Sequence, residues 1–233
     1  MFNEQKNPIY IYSEEKQFTV DTTKPEITIL PEDLSNYVFQ LQLDITVCDK
    51  NSGLKSILYY WNQEEIPADK REINIIELIS GIKEHRFAIT DVPAGRNSLY
   101  ITAIDMAGNV YTQSIICRVD PTPPLLSELK VIGKEVDGQL YTTNPNSLAA
   151  EWILDEDYTS IAYFQYAIVT SEEISQLESL PAERFTIIDE YFARSRREFA
   201  QVATADWLKE NNTYHFVVEA FNTVGLSTGK QVS

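Results

Sequence analysis

Along much of the chain apolar side chains recur at every second position, the period of a β-strand that buries one face. Leu41, Leu43, Ile45 and Val47 lie on one side of a polar-alternating run, and Leu99, Ile101 and Ala103 share a face further on. Leu148, Ala150, Trp152 and Leu154 repeat the pattern, as do Tyr214, Phe216, Val218 and Ala220. Ile27 and Ile29 open an earlier strand, and the runs Ile57 to Trp61 and Ile161 to Val169 supply two more, the first rich in the aromatic residues that strands favour. Ser52-Gly53 breaks one run, and Asp137-Gly138 between two short β-like runs predicts a hairpin. Helical signal is minor. Ser171 reads as an N-cap, with Glu172 and Glu173 at the positive helix end, Ile174 and Leu177 on one face, and Pro181 as the stop. Ile73 to Ile82 reads as helix or strand, and Glu190 to Phe199 as helix or exposed loop.

An internal repeat organises these strands. Val20-Asp-Thr-Thr-Lys-Pro25 returns as Val119-Asp-Pro-Thr-Pro-Pro124, 99 residues later, which is one β-sandwich length. Proline holds itself and its predecessor extended, so each segment reads as a stiff connector into a first strand. A second pairing agrees: Ala103-Ile-Asp-Met-Ala-Gly108 matches Ala220-Phe-Asn-Thr-Val-Gly225, each a strand running into an Asx and Gly turn. The expected organisation is therefore a last strand of an upstream repeat or a linker over residues 1–20, one sandwich over 21–119, and a second over 120–233. The chain stops inside what would be the final strand of the second unit, so that unit reads as C-terminally truncated and the whole as part of a longer array.

The segment Gly95 to Asn109 (GRNSLYITAIDMAGN), together with Asp49-Lys-Asn-Ser52-Gly53-Leu54, resembles a bacterial Ig-like repeat over about residues 20–119. The second unit resembles a fibronectin type III domain through Trp152, Tyr166, and Leu208 six residues before Tyr214, with Ala220 six beyond. In that family the tyrosine hydrogen-bonds at a corner between the sheets. It departs from the family in Asn211 and Asn212, where glycine is common, and in the length of residues 171–205. The resemblance implies an all-β fold: two Ig-like or fibronectin type III-like Greek-key β-sandwiches in tandem, with minor helix in the second. It also implies an extracellular or cell-surface setting, as a stalk, an adhesin, or an accessory region of a secreted polysaccharide-active enzyme, and no catalytic residues.

Composition fits a folded chain, with 43% hydrophobic and 11% aromatic residues. The net charge of −16, from 35 acids against 19 bases, argues against nucleic acid and anionic membrane surfaces as partners. No stretch approaches the ~18 apolar residues of a membrane span, and the start MFNEQKNP lacks a signal peptide's basic and apolar regions. The expected partners are neighbouring domains of the same larger chain, with the chain itself monomeric. Cys48 and Cys117 have no CxxC spacing and read either as one disulfide or as two buried thiols.

The only histidines, His85 and His215, lie in a charged KEHR stretch and on the outward parity of a strand, so each reads as a solvated surface histidine and not as a catalytic base. Among eight glycines there is no phosphate-binding loop. The chain is therefore expected not to be an enzyme and to need no cofactor. One site hypothesis carries specific residues. A sandwich brings the connector, the turn after the second strand and the turn before the last strand to one end, so Asp21, Asn51, Asp49 and Asp105 form one candidate calcium cluster. Asp120, Asp155, Asp157 and Asn222 form the other. Lacking any EF-hand-like spacing, these residues read first as ordinary turn formers that bond their own backbone. Aromatic stacking for a glycan is the other possibility, at Tyr59, Tyr60 and Trp61, at Tyr163 and Phe164, or at Tyr100 and Tyr111; alternation sends one of each adjacent pair into the core. The leading expectation is a non-catalytic extracellular spacer or adhesion module of a bacterial surface protein. The alternative is a β-sandwich that binds a glycan or a host protein.

Overall fold

A computed structural model describes residues 18–62, 72–144, 146–188, 196–204 and 207–233. Sixteen strands account for most of them. Seven build the first sandwich: β1 (Glu26–Leu30), β2 (Leu43–Cys48), β3 (Leu54–Asn62), β4 (Asn74–Glu77), β5 (Glu84–Ile89), β6 (Gly95–Asp105) and β7 (Val110–Val119). They pair antiparallel in the orders β1-β2-β5 and β4-β3-β6-β7. The second sandwich comprises β8 (Leu125–Ile132), β11 (Ser147–Asp155), β12 (Ile161–Thr170), β13 (Thr186–Ile188), β14 (Arg196–Thr204), β15 (Tyr214–Asn222) and β16 (Gln231–Val232), with a hairpin of β9 (Lys134–Val136) and β10 (Gln139–Tyr141) inserted after β8. Its orders are β8-β11-β14 and β13-β12-β15-β16. Position for position this is the strand order of the first unit. Chain crossings after β2, β4 and β5, and after their counterparts, make both units Greek-key sandwiches of the fibronectin type III and Ig-like kind.

Alternation fills each core. Leu43, Ile45 and Val47 of one sheet meet Leu54, Ile57, Leu99, Ile101 and Ala103 of the other, all essentially inaccessible to water. In the second unit Trp152 is the central side chain, edge-on to Phe164 at 5.1 Å and tilted against Phe216 at 5.8 Å. Tyr166 stacks on Phe216 at 5.3 Å. The units also share an irregularity. The β3–β6 register shifts between Leu54 and Ser56, and the β12–β15 register between Ile161 and Tyr163. One extra residue there lets Leu54 and Ile57, or Ile161 and Phe164, face the same core despite their odd spacing.

Several local expectations resolve. Ile73 to Ile82 contributes the strand β4, paired with β3, and no helix. Of the segment Glu190 to Phe199, residues 190–195 lie outside the described residues and the remainder enters β14, so it is strand there and neither helix nor loop. Asp137 and Gly138 carry φ of 54° and 79°, the two left-handed residues that a tight hairpin between β9 and β10 requires. The turn after Thr170 is a 3₁₀ segment, Glu173–Ser179, and Ser171 does not cap it; the Ser171 hydroxyl lies 3.2 Å from His215 Nε2. Its purpose is packing: Ile174, Leu177 and Leu180 cover a second apolar cluster of Ala167, Val169, Phe185 and Val217 on the outer face of the β12–β15 sheet. Tyr214 makes the corner contact, its hydroxyl accepting the Lys209 N–H at 2.8 Å.

Cys48 and Cys117 are separate thiols, and burial pushes that of Cys117 up to about 11. No helix among the described residues is long and apolar enough to cross a membrane. Because Trp152 holds the second core together, Trp152→Ala should cost about 3–5 kcal/mol, lowering the melting temperature of one calorimetric transition. An equal shift of every transition would contradict two separate cores.

Candidate functional site

Three turns converge at the same end of each sandwich, where the connector enters. In the first unit these are the connector at Asp21, the turn after β2 at Asp49 and the end of β6 at Asp105. One carboxylate oxygen from each lies within 4.8 Å of the others. Asp49 and Asp105 are 3% and 0% exposed, whereas Asp21 is half-buried.

Backbone donors fix all three. Asp21 accepts N–H groups from Thr23 and Ser52, both at 2.9 Å, and the Asn51 amide at 3.3 Å. The Ser52 side chain first, and then the Thr23 N–H, hold its carboxyl well below the usual carboxylate range. Asp105 accepts the Asn109 N–H at 2.7 Å and the Asn109 side-chain amide at 2.8 Å, and the same amide reaches the Asp21 carbonyl at 3.1 Å. Asp49 Oδ1 accepts the Gly53 N–H at 2.6 Å; its Oδ2 is buried and has no hydrogen-bond partner. Gly53 is required there, since its φ is 89° and a Cβ would come 3.0 Å from the Ile82 carbonyl oxygen. Asn51 is exposed and supports Asp21 as a donor, directing its amide also to the Thr23 hydroxyl at 2.7 Å.

The second unit repeats this construction with altered chemistry. Asp120 takes the place of Asp21 and is fully buried. It accepts the Thr122 N–H and hydroxyl at 3.2 and 3.0 Å, the Thr159 hydroxyl at 2.7 Å and the Asn222 amide at 3.2 Å. Asn222, at the end of β15, takes the place of Asp105. Its Oδ1 accepts N–H groups from Val224 and Leu226 at 3.2 and 2.9 Å, which orients its amide nitrogen inward, toward Asp120 and the Thr122 carbonyl.

The inward acid of this turn is Glu156, between the two acids that the sequence brought forward. Asp155 stays half-buried on β11, paired with Leu125 and Arg196 across the sheet, and Asp157 is exposed. Glu156 is 5% exposed, with its Oε1 3.3 Å from the Thr159 hydroxyl and its Oε2 unpartnered. Burial first, and then the neighbouring Asp120 charge, raise its pKa above the ordinary 4.5. The signal that finds it is the shared bulge: Leu54 and Ile161 are 107 residues apart, and the same offset carries Asp49 onto Glu156.

Around Asp120 the two sandwiches are joined. Val38 bridges Val119 in parallel, donating to the Arg118 carbonyl at 3.2 Å and accepting from the Asp120 N–H at 2.9 Å. Arg118 donates to the Leu34 carbonyl at 2.9 Å. Gly95, at φ 86°, lies against the Tyr158 ring from the second unit, where a Cβ would sit 3.1 Å from the ring. The groove beside this contact is lined by Tyr37, Arg118, Tyr158 and Thr223 and has no carboxylate, histidine or cysteine on its wall.

The aromatic candidates mostly satisfy one another. Tyr60 stacks on Tyr100 at 5.2 Å and 7° between planes, and Tyr163 on Phe221 at 4.5 Å and 14°. Tyr59 stacks on Phe87, Phe164 is in the core, and Trp61 packs against the first core. Tyr111 alone of this group is exposed, at 37%.

No family model matches the chain, and no curated protein does. Among solved structures it is similar to the chicken CNTN1 FN1–FN3 domains (13% identity, TM-score 0.31), with 87% of this chain and 66% of that one covered. The fibronectin(III)-like modules of Clostridium thermocellum CbhA match at 11% identity and TM-score 0.33, over 89% and 91%. A 1.5-MDa bacterial ice-binding adhesin matches at 9% and 0.36, over 91% and 65%. Likeness of this extent says nothing about what this chain binds.

A raised folded pKa means that Glu156 adds stability only while protonated. The contribution is complete below its ordinary value of 4.5 and is lost as pH rises through the elevated folded value. Glu156→Gln keeps a neutral group there, so it should melt higher than the parent chain at pH 7 and with it at pH 4. Parallel melting curves across that range would show that Glu156 titrates normally.

Proposed function

We propose that the chain is a non-catalytic spacer or adhesion module of a larger bacterial surface protein, working outside the cell and holding neighbouring domains at a set reach and orientation. One observation carries this reading: Asp120, the first residue after β7, is buried with four hydrogen-bond donors, two of them from a turn and a strand end of the second sandwich. A flexible tether has no use for such a clasp. Proline at 121, 123 and 124 stiffens the few residues between Asp120 and β8, and the Val38 bridge and the Gly95–Tyr158 contact brace the junction on the first unit's side. The joint is thus a strut built from connector, turn and strand end.

Catalysis is the weaker reading, because the groove at this joint offers hydroxyls and one guanidinium already bonded to a carbonyl, with no acid, base or nucleophile beside them. Binding of a glycan by stacked rings would need free ring faces in one plane, and Tyr60, Tyr100 and Tyr163 each give one face to a neighbouring ring.

The strut can be tested by NMR residual dipolar couplings on the whole chain. Both sandwiches should report one alignment tensor, and Asp120→Ala, which strands up to four donors, should split it into two and cost about 2–3 kcal/mol of stability. Two independent tensors in the parent chain would remove the spacer reading, and glycan-array binding would replace it with the recognition module.

A further inference from the structure

The two junction sites invite comparison because the same three positions hold three acids in one unit and two acids with an amide in the other. In the second unit the chemistry closes on itself. The Asn222 nitrogen and the Thr159 hydroxyl both donate into Asp120, so the space between the turns is occupied by N–H and O–H groups. A cation finds no welcome among donors.

In the first unit Ser52 stands where Thr159 does, but the place of the Asn222 amide is taken by a third carboxylate, Asp105. Asp21 takes donors from its own connector and from Asn51 and Ser52 of the turn after β2, Asp49 and Asp105 take theirs from their own loops, and each carboxylate keeps at least one oxygen with a free lone pair. Asp49 Oδ2, on a side chain 97% buried, has no partner at all. Among the described residues no lysine or arginine forms an ion pair with any of the three. Lys83 donates instead to the Asn51 carbonyl. Three carboxylates within 4.8 Å, two of them removed from water, repel one another strongly unless positive charge lies between them.

We propose that Asp21, Asp49 and Asp105 bind one calcium ion. The ligands are all oxygen, with no histidine or cysteine in the cluster, which selects a hard cation over zinc or copper. They come from three separate segments, connector, turn and strand end, and such a set adapts to calcium's loose coordination more readily than to the strict octahedron of magnesium. A bound ion would tie the connector at Asp21 to the first sandwich as the Asn222 and Thr159 hydrogen bonds tie Asp120 to the second. The inference does not depend on the spacer role.

The test is calorimetric titration of calcium into the chelator-treated full chain, paired with thermal melts in chelator and in millimolar calcium. One ion should bind, and the melting temperature should rise by several degrees because only the folded chain assembles the site. Asp49→Asn should lose the binding and the shift, yet melt no lower than the parent chain in chelator, since it relieves the repulsion. Asp105→Asn gives the same readout should Asp49→Asn fail to fold, and Glu156→Gln should bind calcium as the parent does. Magnesium should bind at least tenfold more weakly. No calcium binding by the parent chain, or binding undiminished in both Asp variants, would overturn the site.

Discussion

A carboxylate at each connector, half-buried at Asp21 and fully buried at Asp120, is the constraint on which this molecule turns. A sandwich can bury its strands by alternation alone, yet alternation says nothing about how one sandwich meets the next. Here that task falls to an aspartate placed just before the first strand, where three turns meet. Desolvating such a group costs several kcal/mol unless donors or opposite charge are supplied, and the turns supply them: N–H groups from Thr23 and Ser52 for Asp21, hydroxyls from Thr122 and Thr159 and the Asn222 amide for Asp120. The turns are therefore shaped by the connector as much as by the strands they join. Gly53 takes φ 89° so that its N–H can reach Asp49, and Gly108 and Gly225 take similar angles to close the loops that carry Asn109 and Leu226 back onto Asp105 and Asn222.

Much of the fold was legible because its strands obey period two. The residues assigned inward on β2, β6, β11 and β15 are buried, apart from Tyr214, which turns its hydroxyl to a corner hydrogen bond. What the pattern hid has physical causes. The bulges at Leu54/Ser56 and Ile161/Tyr163 break parity, and β12 buries both of its faces, since Val169 and Ala167 serve an outer cluster while Ile168 and Tyr166 serve the core. A doubly covered strand loses its alternation. Ser171 looked like an N-cap because it precedes acids and an apolar pair, but the turn tightens to 3₁₀ geometry and its serine is used by His215. Short segments packed on a sheet follow the sheet rather than their own propensity.

The site was legible in outline only. Asp21, Asp49, Asp105, Asp120 and Asn222 meet where the connector enters because Greek-key topology leaves them nowhere else to go. Glu156 escaped notice since Asp155 and Asp157 are the commoner turn residues, and choosing among three consecutive acids needs the strand register that the bulge sets. The two units, one resembling a bacterial Ig-like repeat and the other a fibronectin type III domain, turn out to share one strand order and one bulge. Their difference lies in the inserted β9–β10 hairpin and the long segment after β12, additions that leave the connector end untouched.

That conserved geometry makes the exchange of side chains within it informative. Replacing an acid by an amide at the end of the penultimate strand turns a charge into a donor. The donor in turn lets the connector acid be buried completely: Asp120 is 0% exposed, while Asp21 remains half in water. The second unit thus holds the Asp120 charge with shared hydrogen bonds, while burial and that charge raise the pKa of Glu156 beside it. The first has no such internal remedy, because Asp105 can only accept and Asp49 Oδ2 has nothing to accept from. A fold that seals one end of each module against the next must neutralise its connector carboxylate somehow. The second unit does so with its own donors, and in the first the proposed calcium ion would serve.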